Sequence, residues 1–274
     1  VSTANAKVAE GAKAKVDLDR IIEQTTAAIA ANPQNFDAYV QRAKAWSSKL
    51  CYDRAMADID QAIRLQPGVA NSYLVRAGLW HAKQQLPKVI ADLDEAIRLD
   101  SGNTTAYVVR GMAKTGVHDL AGALNDFNES LRIDPRLADV YVLCAEVRFQ
   151  QNDRGAALES CKQALLVDPN SATARIMRAR VRKAAGDLDD ALADLNEVLR
   201  IAPNLGEAYY DRARVWEARG EPAQAVADLT KAIDFLESEQ RSAAVGEPRR
   251  PMPTEESKFA PHVIKLFQQP PEMT

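Results

Sequence analysis

The side chains able to carry chemistry in this 274-residue chain fall into two groups, one scattered and one periodic. The scattered group holds the nucleophiles and imidazoles. His81, His118 and His262 lie far apart, and Cys51, Cys144 and Cys161 form no CxxC pair or Cys/His cluster. No metal site is expected from such spacing, and three cysteines are too few for a disulfide scaffold. HExxH, a phosphate loop, a dinucleotide fingerprint and GxSxG are all missing, so neither a cofactor nor catalysis is expected. The periodic group is charged. Arg42, Arg76, Arg110, Arg178 and Arg212 each precede an aspartate by sixteen residues, namely Asp58, Asp92, Asp126, Asp194 and Asp228. A planar guanidinium matches a carboxylate with two parallel hydrogen bonds, so this pattern reads as a series of ion pairs.

Those pairs need elements to hold them sixteen residues apart, and the sequence supplies a repeat. Pro33, Pro67, Pro135, Pro169 and Pro203 share one 34-residue spacing, with Ser101 in the single gap. Six repeats run 36–69, 70–103, 104–137, 138–171, 172–205 and 206–239. The eighth residue is Ala or Gly in all six, and the twentieth is Ala in five and Val89 in the other, so two helices can approach closely. Bulk comes from the fourth residue (Tyr39, Tyr73, Tyr107, Tyr141, Arg175, Tyr209) and the twenty-fourth (Ile59, Leu93, Phe127, Cys161, Leu195, Leu229). Each repeat is predicted to be two short amphipathic helices, A and B, parted by turn chemistry such as Asn152-Asp153, Gly186-Asp187 and Gly220-Glu221. Asp153 and Asp187 are the expected N-caps of their B helices.

In length, phase and small-residue positions these units resemble the tetratricopeptide repeat family, with YLVRAGLW and DLDEAIRLD among the fitting segments. The resemblance implies an all-α fold, a right-handed superhelical solenoid of helix-turn-helix repeats with A helices lining a concave groove. It implies binding of a protein or peptide far more often than catalysis. The carboxylate clamp of the family's chaperone-binding members is not expected, because Val40, Leu74 and Val108 stand at the corresponding places.

The expected organisation is an N-terminal lead and degenerate half-repeat over 1–35, the six repeats over 36–239, a helix extension and Pro/Arg linker over 240–253, and an apolar tail over 254–274. Residues 2–15 read as a weak A helix or a frayed lead, and 17–32 as a lone B helix. The tail holds Phe259, Val263, Ile264, Leu266 and Phe267, with Pro261 suited to a first helical turn. It would cap the last repeat, fill the groove, self-associate through residues 259–268, or stay unstructured.

The repeat also sorts the charges. The fourth repeat has Cys144 and Ser160 where the others carry Arg and Asp, so both partners of the pair are lost together. That supports a structural link between helices A and B, since an unpaired half-buried guanidinium would be costly; the alternative is an arginine ladder for a ligand. Cys144 and Cys161 face each other in that repeat, as buried thiols or as a disulfide. Asp60, Glu95 and Glu129 read as solvated partners of Arg64, Arg98 and Arg132 on the same helices.

If the resemblance holds, residues two, five, nine, twelve and thirteen of each A helix line the groove. The fifth residues, Val40, Leu74, Val108, Val142, Ile176 and Tyr210, are all apolar and with Met112 and Phe149 form either an exposed strip or packing between neighbouring A helices. Lys44, His81, Arg180, Lys183 and Arg214 add polar groups, the last three able to receive an acidic side chain or a terminal carboxylate. The expected function is a protein-interaction adaptor or scaffold. Two other readings compete: a regulatory or targeting region of a larger enzyme or secretion assembly, and a self-associating structural protein.

With 35 basic and 38 acidic residues the net charge is −3, which offers no attraction to a nucleic-acid backbone. No apolar run is long enough for membrane insertion. The cysteine usage favours a reducing, cytoplasmic setting, while the missing initiator Met leaves export after leader removal open.

Overall fold

The computed structural model describes residues 2–244, with side chains over 17–235 and at Glu237. The linker and the apolar tail lie outside the described residues. Among those described there are thirteen helices and no strand. They are α1 (Ser2–Ala31), α2 (Phe36–Ser48), α3 (Tyr52–Leu65), α4 (Ala70–Ala82), α5 (Leu86–Leu99), α6 (Thr104–Gly116) and α7 (Leu120–Ile133). The series continues with α8 (Ala138–Gln150), α9 (Arg154–Val167), α10 (Ala172–Ala185), α11 (Leu188–Ile201), α12 (Gly206–Arg219) and α13 (Pro222–Ala244). The fold class is all-α helical repeat: even-numbered helices from α2 to α12 are A helices, and each is followed by its B helix. Residues 2–15 and 17–32 are not divided by a turn, and α1 is one continuous helix.

Two compact units divide within α7, between Asp126 and Phe127. In the first, Ala43 and Ala55 are wholly buried where α2 meets α3, and Ile59, Ala62 and Leu79 close that layer. Ala77, Val89, Leu93 and Ala96 do the same for α4 and α5, with Ala106 and Val109 of α6 added. In the second unit Ala145, Ala157 and Cys161 join α8 to α9 beside Met177 and Val181 of α10. Ala179, Ala191, Leu195 and Val198 join α10 to α11, and Ala208 and Tyr209 of α12 pack on them. Alanine at the crossing lets backbones approach closely, while the large residues fill the remaining space at interior packing density.

Every A-to-B turn uses one device. The fifteenth residue of each repeat is in the left-handed region: Leu50, Gln84, His118, Asn152, Gly186 and Gly220 have φ of 59°, 57°, 62°, 61°, 92° and 81°. Glycine takes this conformation without strain, whereas Leu50, Gln84 and His118 hold it against a steric penalty. Asp153 caps α9 by accepting from the Ala156 amide at 2.9 Å. Asp187 stands at the N-cap of α11 without making that bond, a departure from its expected role.

Candidate functional site

Four of the five arginines are held by three kinds of contact at once, and Arg178 by the first alone. Arg42, Arg76, Arg110, Arg178 and Arg212 each donate from Nε and Nη2 to the two carboxylate oxygens of their aspartates, over 2.5–2.9 Å. The A helix presents the fork, and the B helix of the same repeat presents a buried carboxylate. In four of them the guanidinium also lies 5.5–5.8 Å from the ring centroid of the tyrosine three residues earlier. The remaining nitrogen reaches back one repeat: Nη1 donates to Thr26 from Arg42, to Asp60 from Arg76, to Asp94 from Arg110 and to Asn196 from Arg212. One side chain thus clips an A helix to its own B helix and to the preceding one. The carboxylates hold these guanidinium pKa values above their ordinary range, mainly through the side-chain hydrogen bonds.

The back-reaching contact was missed in the sequence, although its signal is there: Thr26, Asp60, Asp94 and Asn196 each lie sixteen residues before an arginine. Asp60 was expected to pair with Arg64, but Arg64 bonds Gln61 and Asp60 belongs to Arg76. Glu95 and Glu129 do pair with Arg98 and Arg132, at 2.6 and 2.9 Å.

Position eleven supplies a second cation that the sequence reading also overlooked. Lys114 reaches Asp126 at 2.9 Å, and Arg182 reaches Asp194 at 2.6 Å. In the fourth repeat Arg148 from this position donates to Ser160 at 2.5 Å, so the repeat lacking the pair keeps a shorter polar link. Cys144 and Cys161 are both buried and free. Burial pushes their thiols up to about 11 and about 12.

The expected exposed apolar strip is corrected at four positions. Val40, Val108, Met112 and Ile176 are buried. Val40 packs with Leu79 and Val75 of α4, and Ile176 with Ala208 and Tyr209 of α12, because neighbouring A helices approach closely enough to cover a fifth-position side chain. Leu74, Val142 and Phe149 are half-buried. Tyr210 alone among the fifth residues is exposed, at 47%.

The expected polar groups also separate. Arg180 is not available: its Nε donates to Asp211 at 2.9 Å and its Nη2 to Glu207 at 2.6 Å. Burial pushes the Asp211 carboxyl up, and the Arg180 guanidinium opposes that rise without cancelling it. Arg214 stays exposed beside Tyr210 Oη, at 3.3 Å, with a loose contact to Glu217 at 3.4 Å. Lys183 is half-buried, and with Arg214, Glu217 and Ala218 it lines an open depression of about 370 Å³ between α10 and α12. In the first unit Lys44 is exposed and His81 half-buried, its imidazole pKa lowered by desolvation. Among the described residues no group of three His, Cys, Asp or Glu is placed to hold a metal ion, and no helix is long and apolar enough to cross a membrane.

Stacked A/B pairs closed by periodic ion pairs define a helical-repeat protein. Residues 143–206 and 176–239 match a family model described as tetratricopeptide repeat, so the chain carries tetratricopeptide repeats over residues 143–239. No curated protein matches it by sequence. Among solved structures it is similar to a tetratricopeptide repeat protein from Parabacteroides merdae, with TM-score 0.66 and 19% identity over 86% of this chain and 87% of that one. PilW, a widely conserved type IV pilus biogenesis factor, gives 0.63 and 20% over 70% and 90%. YrrB, a tetratricopeptide repeat protein with an unusual peptide-binding site, gives 0.50 and 24% over 68% and 94%. At such identities the likeness is one of fold. Proteins of this family bind protein or peptide partners, and in general act as adaptors rather than enzymes.

Proposed function

We propose that the chain is an adaptor that holds a polypeptide segment on the A-helix face of its second unit. The observation that carries this reading is the contrast between paired and spare groups on α10 and α12. Arg178, Arg180, Arg182 and Arg212 are all engaged by carboxylates of the fold. Lys183 makes no ion pair among the described residues, and Arg214 has only its loose one. Tyr210 completes the patch with an exposed ring beside Arg214. An aromatic anchor next to two cations suits a segment that combines an acidic side chain or terminal carboxylate with an apolar residue.

The experiment is equilibrium binding of a displayed peptide library to the full chain, followed by titration of recovered peptides. Lys183→Glu with Arg214→Glu should weaken acidic peptides by about tenfold or more, because a like charge now meets the ligand. Wild-type affinity should fall with added salt. Recovered peptides that bind the reversed variant equally well would refute this site.

A further inference from the structure

Two polar links between neighbouring repeats recur along this chain, and the junctions do not share them equally. The first is the back-reaching bond from the seventh-position arginine to the twenty-fifth residue of the preceding repeat: Arg42 to Thr26, Arg76 to Asp60, Arg110 to Asp94 and Arg212 to Asn196. The second is an ion pair from the fourteenth residue to the eighteenth of the preceding repeat. Lys49 pairs in this way with Asp19, Lys83 with Asp53 and Arg219 with Asp189. The lead and first repeat, the first and second, and the fifth and sixth are thus joined by both links. The second and third keep one, because Val117 and Pro87 stand at the ion-pair positions.

The fourth repeat, residues 138–171, has the residues for neither link on either side. On its N-terminal side Cys144 replaces the arginine, and Gln151 and Ala121 hold the ion-pair positions. On its C-terminal side Lys162 takes the acceptor's place opposite Arg178 in the register, and Ala185 and Gly155 replace the ion pair. Lys162 bonds Glu159 on its own helix, and Arg178 bonds Asp194 within its own repeat. Inside the fourth repeat the two-bond fork is also gone, with Arg148 to Ser160 in its stead. What joins this repeat to α10 is apolar: Ala145, Ala157 and Cys161 packed with Met177 and Val181. The junction of α10 with α12, by contrast, gains further bonds from Arg180 to Asp211 and Glu207.

The stability of a stacked array is close to a sum of repeat terms and nearest-neighbour terms. A repeat short of both the internal fork and the recurring links on its two sides opens more readily than the other internal repeats. We propose that α8 and α9 are the yielding element of the array, opening together while the internal repeats on either side stay folded. The opening uncovers Cys144, Cys161 and the Met177/Val181 side of α10, all buried in the closed array, and so gives the chain a conditional apolar surface. This inference does not depend on the peptide-binding surface of α10 and α12.

Native-state hydrogen exchange read by mass spectrometry, on the full chain over a series of low urea concentrations, tests it. The slowest amides of α8 and α9 should exchange about tenfold faster or more than those of α4, α5, α10 and α11, with a weaker urea dependence than global unfolding. Two repairs at exposed positions should slow α8 and α9 about threefold or more and leave α4 and α5 unchanged. One is Lys162→Asp, which gives Arg178 its acceptor; the other is Ala185→Lys/Gly155→Asp, judged against Gly155→Asp alone. Exchange in α8 and α9 no faster than in the other four helices overturns the proposal. Repairs without effect overturn the links as its cause, and exchange of α8 to α13 in one step overturns it in favour of opening of the whole second unit.

Discussion

Arg76 and Arg110 occupy the same position of adjacent repeats, yet their removal should have different consequences. Arg76 holds Asp92 through two hydrogen bonds of 2.9 and 2.6 Å and Asp60 through a third of 2.8 Å. Asp92 is buried, position eleven of that repeat is Trp80, and among the described residues Arg76 is the one cation that pairs with it. Arg76→Ala leaves a buried carboxylate without compensation, a situation that costs about 3–5 kcal/mol. Arg110 makes the equivalent bonds to Asp126 and Asp94, but Lys114 also contacts Asp126 at 2.9 Å. Arg110→Ala therefore removes charged hydrogen bonds while a cation remains, a loss of about 1.5–3 kcal/mol. The gap of about 1–2 kcal/mol corresponds to roughly 2–8 °C in melting temperature for a chain of this size. Urea and thermal unfolding of the two variants measure it, with residue-resolved exchange to follow unfolding that is confined to a few repeats. Lys114→Met in the Arg110→Ala background should bring the loss to the Arg76→Ala level. Replacing both partners, as in Arg76→Met/Asp92→Leu, should recover most of the stability, because paired desolvation disappears with the charges. Equal losses for the two single alanine variants, or no loss from Arg76→Ala, would refute the reasoning.

Three further outcomes follow from local geometry. Leu50→Gly should stabilise the fold by about 0.5–1 kcal/mol, since Leu50 is held at φ 59° on the surface, while Gly186→Ala at φ 92° should destabilise it by about 1 kcal/mol; urea midpoints decide both. Ellman's reagent at neutral pH should titrate Cys51 alone in the native chain, the buried Cys144 and Cys161 reacting only on unfolding, since their thiols are pushed up to about 11 and about 12. His81 has its folded pKa lowered by burial, so the unfolded chain binds the proton first. Its contribution to stability is complete above the unfolded value near ~6.5 and is lost as pH falls through the folded one. His81→Gln should flatten the unfolding midpoint between neutral and mildly acidic pH, and an unchanged slope would exclude this residue as its source.

The sequence by itself determined the repeat, its phase and the helix pairs, because small residues at nearly every crossing, Pro at all but one repeat boundary and turn chemistry in three of the repeats recur at one fixed period. It also determined which arginine pairs with which aspartate: the joint loss of both partners at Cys144 and Ser160 is visible without coordinates. Tertiary structure alone decided the rest. A side chain's register says which face it occupies but not how close the next helix comes, so only the structure shows Val40, Val108, Met112 and Ile176 covered and Tyr210 open. Asp60 bonds across repeats to Arg76 instead of along its own helix to Arg64, a choice between two cations within reach that linear spacing does not settle. The same holds for Arg180, which is paired with Glu207 and Asp211, 27 and 31 residues away, while Lys183, one helical turn on, makes no ion pair among the described residues. Composition counts charges; only the packing of α10 on α12 decides which of them are left for a partner.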